Sequence, residues 1–73
     1  MSGFYCIVKI GEPAEADCRL NTKLGATCEE WSQLPDRVQM EVVEIDLGGS
    51  VIHRYSSAES QKKARDFHNP RIR

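Results

Sequence analysis

Apolar side chains recur along this chain at two different periods, and each change of period marks an element. In Phe4-Tyr5-Cys6-Ile7-Val8-Lys9-Ile10, the side chains of Phe4, Cys6, Val8 and Ile10 fall on one side and Lys9 on the other, and Gly11 and Pro13 close the run. Alternation of β-branched and aromatic residues over this length predicts a strand. Residues 12 to 26 carry few large apolar side chains and end in a Leu24-Gly25 step, which reads as a loop with one helical turn at most. Thr27-Cys28-Glu29-Glu30 then has capping-box spacing, with a hydroxyl and a carboxylate placed to satisfy free N–H groups at a helix start. It predicts a short helix from Cys28 to Leu34, stopped by Pro35 because the residue before a proline is pushed out of the helical region.

The strongest local signal follows. Val38 to Leu47 is rich in aliphatic residues, and after Gly48-Gly49-Ser50 the chain continues Val51-Ile52-His53-Arg54-Tyr55. Two such runs around a glycine pair predict a β-hairpin at residues 38 to 55. A two-residue turn pairs Ile45 with Ile52 and Glu44 with His53, a three-residue turn pairs Val43 with Tyr55 and Glu44 with Arg54, and the pattern admits both. In either case Val43 and Ile45 share the apolar side. Ser56-Ser57-Ala58-Glu59 is a second capping box, opening a charged helix to about Phe67 with Ala64 and Phe67 as its inward contacts.

These elements predict an α+β fold, a small three-stranded antiparallel sheet made of the N-terminal strand and the hairpin, with two short helices on one face. The expected organisation is one domain over residues 1 to 68 and a flexible basic tail over 69 to 73, released by Asn69-Pro70.

Size and charge narrow the function. A chain of 73 residues buries only about 60% of the surface its unfolded form exposes, and typical stability per residue gives roughly 4 to 10 kcal/mol in total. Little remains to hold a strained catalytic site, so we expect a non-enzymatic protein. There is no apolar run near the roughly 20 residues of a membrane span and no basic, apolar leader at the start, which leads us to expect a cytoplasmic protein without membrane association. Three cysteines, Cys6, Cys18 and Cys28, with no C-x-x-C pair read as reduced thiols, Cys6 in the core and the other two partly exposed. Net charge is −1, but residues 1 to 47 hold nine acidic and four basic side chains and residues 48 to 73 hold two and six. The chain is therefore a dipole with a basic C-terminal end.

Cys18, Cys28, His53 and His68 are suitable zinc ligands, yet nine, twenty-four and fourteen residues intervene where structural sites use close pairs. No metal or other cofactor is expected. A Cys-His catalytic pair lacks a thiolate-stabilising context, and Glu44 with Asp46 reads as the solvated face of a strand rather than an acid/base pair. Gly48-Gly49 is a hairpin turn without the helix start and lysine of a phosphate loop. Trp31 reads as a core anchor.

Binding of a macromolecule is left. A three-stranded sheet has two edges, and an open edge can recruit an extended segment of a partner. Phe4 and Tyr5 must point to opposite faces, so we expect Tyr5, Ile7 and Lys9 on the outer face and edge as the partner-binding residues. Lys62, Lys63, Arg65, Arg71 and Arg73 are expected to add auxiliary basic contacts, and nucleic-acid binding through that segment is the alternative function. In its length, its opening Phe4-Tyr5-Cys6-Ile7-Val8, its hairpin around Gly48-Gly49 and its basic C-terminal tail, the chain resembles the small host-takeover proteins of lytic phages that bind host RNA polymerase. The resemblance implies a monomeric regulator of the host cytoplasm with a polymerase subunit as partner, inhibiting initiation and promoting antitermination.

Overall fold

Alternating apolar residues do build the first strand: β1 runs from Phe4 to Lys9 in the computed structural model, which describes residues 3 to 14 and 18 to 68. Helix α1 spans Leu24–Ser32, a 3-10 turn covers Arg37–Gln39, β2 is Met40–Ile45, β3 is Val51–Tyr55 and α2 is Ser57–His68. The three strands form one antiparallel sheet in the order β1-β2-β3, giving the expected α+β architecture. The expected basic tail, with Arg71 and Arg73, lies outside the described residues.

The hairpin ladder follows the first anticipated register at Glu44 and His53, has neither pair of the second, and departs from both at Ile45. Asp46 accepts a bond from the Gly49 N–H at 3.0 Å, and Gly49 adopts φ +91°, so a turn with one left-handed glycine closes the loop. Ile45 consequently faces Val51. A bulge then shifts the ladder, and Glu44 faces His53 while Val42 faces Tyr55. Ser56 and Glu59 form the reciprocal capping box, with the Glu59 N–H donating to Ser56 Oγ at 3.2 Å and the Ser56 N–H donating to Glu59 Oε1 at 3.1 Å.

The first helix departs from expectation. It begins four residues before Cys28, and Thr27 lies inside it, buried, with its hydroxyl donating to the Lys23 carbonyl at 3.0 Å rather than capping an end. The turn into α1 is instead made by Asn21, whose side-chain oxygen accepts from the Lys23 N–H at 2.8 Å. Starting early brings Gly25 against α2: a Cβ there would sit 2.5 Å from Phe67 Cδ1, so the absence of a side chain lets the helices approach. Phe67 covers Gly25 while remaining half exposed.

β1 and β2 are buried on both faces, while no residue of β3 is fully buried. On one face, Tyr5 and Val42 pack against Cys28 and Trp31 of α1 and Ala64 of α2, with Ile7, Leu24, Met40 and Tyr55 around them. Trp31 is the anchor that was expected, 2% exposed, and its indole N–H donates to the Met40 carbonyl at 2.9 Å. On the other face Cys6, Val8, Val43 and Ile45 form a second cluster, covered by Phe4, Ala14, Cys18 and Val51. What holds that cover is a Cys6–Cys18 disulfide, with Cα atoms 6.2 Å apart. This corrects the reading of three reduced thiols, and with it goes that reading's support for a reducing compartment. Cys28, expected to be partly exposed, is wholly buried under α2. No helix among the described residues is long and apolar enough to cross a membrane.

Candidate interaction site at the edge of the sheet

With the order β1-β2-β3, each outer strand leaves one edge for the rest of the chain to cover. β3 has five residues and a bulge in its ladder, with Arg54 held by Glu41 and by the Glu12 carbonyl. A short, bulged and charged strand is a poor template for further pairing.

β1 is different. Successive residues of a strand direct their N–H and C=O groups to opposite edges. Tyr5 exchanges two bonds with Asn21, at 2.7 and 2.9 Å, so Tyr5, Ile7 and Lys9 direct their main-chain groups outward, away from β2. The Lys9 carbonyl is taken by the Glu12 N–H at 3.0 Å. Among the described residues nothing pairs with the outward N–H and C=O of Ile7 or with the N–H of Lys9. Continuing the Tyr5–Asn21 register would set Arg19 opposite Ile7, but the pairing stops after one rung and Arg19 forms an ion pair with Glu30 of α1 at 3.6 Å. A cleft of about 510 Å³ lies there, lined by Ile7, Lys9, Pro13, Arg19, Leu34 and Met40 among others.

Of the residues expected on the outer face, two turn inward. Tyr5 is buried, its ring 6.2 Å from that of Tyr55, and Ile7 packs into the helix-covered core. Only Lys9 is exposed. The reason is that both sides of β1 are apolar, and the helix carrying Trp31 settles on the Tyr5 side while the disulfide-tied loop takes the other. What β1 offers is its main-chain edge. Lys62, Lys63 and Arg65 are exposed on α2, and none of them lines the cleft.

The residues weighed for catalysis or metal binding have other roles. Cys18 is committed to the disulfide. Among the described residues no three of His, Cys, Asp and Glu are grouped to hold a metal ion. Asp46 Oδ1 accepts from the Gly48 and Ser50 N–H groups, both at 2.9 Å, and so shapes the hairpin turn. Glu44 accepts from the Tyr55 hydroxyl at 3.4 Å, and the His53 ring meets that of Tyr55 edge-on at 4.3 Å. His68 Nε2 lies 2.8 Å from a carboxylate oxygen of Glu29, which brings the end of α2 to α1.

Two groups respond to pH through burial. Desolvation pushes the Cys28 thiol up to about 11, only partly offset by the Ser60 hydroxyl and the Lys63 charge. Burial, reinforced by Tyr5 and the Glu44 carboxylate, pushes Tyr55 up to about 12. Both groups favour the neutral form in the fold, so their contribution to stability is whole below pH about 9 and is lost as pH rises through 11 to 12. We expect the urea midpoint to fall across that window, and native protein at pH 8 to resist iodoacetamide at Cys28 far better than unfolded protein does. Rapid modification of Cys28 in the native state would contradict this placement.

The signals behind the cleft were faint. Neither the Asn21 rung nor the Arg19–Glu30 pair has a sequence pattern, because each depends on where the loop returns after β1. Compared with known proteins, the chain matches no family model, no curated protein and no solved structure.

Proposed function

We propose that this chain is a small, non-enzymatic binding module whose partner is a protein, and that the partner is a subunit of host RNA polymerase, so that binding inhibits initiation and promotes antitermination. The observation that carries the protein-binding reading is the outward main chain of Ile7, which no described residue pairs, beside an open cleft at the sheet edge. The polymerase as partner rests on the resemblance drawn from the opening strand, the glycine-pair hairpin and the basic tail.

A second reading has its own support: Lys62, Lys63 and Arg65 are exposed within four residues of one helix, as in a surface that meets phosphates. Affinity capture from a nuclease-treated bacterial lysate separates the two. The expected result is retention of polymerase subunits, with Lys62→Glu/Lys63→Glu slowing association at low salt and leaving the captured protein the same, since surface charge acts mainly on association rate. Recovery of nucleic acid alone from an untreated lysate, and of no polymerase after nuclease, would favour the second reading.

A further inference from the structure

We infer that the cleft beside β1 takes a short extended segment of the partner as a fourth strand, in antiparallel register, with the pattern acidic-x-apolar read from N to C terminus. The inference rests on the protein-binding reading above and adds what the bound segment must look like.

Main-chain geometry sets length and direction. Among the described residues nothing takes the outward groups of Ile7 or the N–H of Lys9, while the Tyr5 rung is filled by Asn21 and the Lys9 carbonyl by Glu12. An incoming strand therefore has room for one complete rung, at Ile7, and a half rung at Lys9, about three residues at roughly 3.4 Å each. An antiparallel strand matches this. One partner residue exchanges two bonds with Ile7, and the residue two earlier in the partner gives its carbonyl to the Lys9 N–H.

Side-chain chemistry sets the pattern. The residue opposite Ile7 lies on the same face as Ile7, where Leu34 and Met40 also line the cleft, so an apolar side chain is favoured there. The residue opposite Lys9 lies beside an exposed ammonium group. Of the charged residues lining the cleft, Arg19 and Glu30 pair with each other and Glu12 sits past the last open rung, where its N–H closes on the Lys9 carbonyl, so Lys9 is the charge directly beside the segment's first residue and it favours an acidic side chain there. The residue between them points to the opposite face, toward Val8, Pro13 and Cys18. Strand addition of this kind draws affinity from the main chain and selectivity from alternate side chains.

The test uses the intact protein, isotopically labelled, and a capped peptide of alternating Thr and Val with one Asp two residues before a central Leu. Amide shifts on titration are expected at Ile7 and Lys9. Methylating the peptide's Leu nitrogen removes the donor to the Ile7 carbonyl and should weaken binding about tenfold, while replacing its Asp by Lys should weaken it several-fold and be compensated by Lys9→Glu. Equal binding of the N-methylated peptide, or shifts confined to β3 or α2, would overturn the inference. So would concentration-dependent shifts at Ile7 without peptide, which would mean that a second copy of the chain occupies the edge. Peptide binding by a protein that captures no polymerase would leave this inference standing and remove the polymerase reading alone.

Discussion

Trp31→Ala is expected to leave the protein largely unfolded at room temperature. Trp31 is 2% exposed and belongs to the helix-covered cluster with Tyr5 and Val42 of the sheet and Ala64 of α2. Truncating a buried tryptophan costs about 3 to 5 kcal/mol. It also strips the Met40 carbonyl of the indole donor at 2.9 Å, adding the cost of a polar group left without its partner. Total stability at this length is roughly 4 to 10 kcal/mol, so the loss approaches the whole of it. Trp31→Phe separates the two contributions, since it keeps an aromatic ring and removes the N–H, and it should cost the smaller part. Urea titration followed by far-UV circular dichroism measures both. A midpoint for Trp31→Ala close to that of the parent would show that the helix-covered cluster is not what holds the fold.

Reduction of the Cys6–Cys18 disulfide should produce the second largest effect. The two cysteines are twelve residues apart, and closing a loop of about that size constrains the unfolded chain by about 3 kcal/mol in the chain-entropy account. In the fold the bond also ties the segment carrying Ala14 and Cys18 over Val8, Val43 and Ile45, the face that no helix covers. Cys6 is wholly buried and packs acceptably as a free thiol, so the loss falls on the loop and on its cover of that face. In a domain of this size, 1 kcal/mol shifts Tm by about 4 to 8 °C, which puts the expected drop at about 12 to 24 °C. Calorimetry with and without dithiothreitol checks the magnitude. Alkylation of denatured protein checks the premise, with one modified cysteine expected before reduction and three after. Three without reductant, or an unchanged Tm with it, would remove the staple from this account.

Much of the fold was legible because it is written locally. Alternation in Phe4–Lys9, the glycine pair at 48 and 49 and the capping box Ser56–Glu59 each fix a conformation through neighbours a few residues away, and β1, the hairpin and α2 follow from them. Where one residue had to choose between two local roles, the pattern misled. Thr27 has capping-box spacing to Glu30, but the burial of Leu24 and the turn made by Asn21 start α1 earlier and leave Thr27 in its interior. The hairpin register was undecidable from residue spacing because a bulge lets a three-residue turn and a two-residue ladder coexist.

The first strand was legible in the sequence, and which of its faces the core would take was not. Sequence alone determined that this small chain has a sheet with an exposed edge to manage, because three strands cannot close on themselves and the N-terminal strand is apolar on both sides. Only the tertiary structure decided that Tyr5 and Ile7 turn inward, that Cys18 returns to Cys6, and that Asn21 pairs with Tyr5 while Arg19 turns to Glu30. Those outcomes depend on contacts between residues 12 to 37 positions apart, such as Tyr5 with Val42 and Cys6 with Cys18, whose energies are settled by competition for a thin core rather than by any residue's neighbours in the chain.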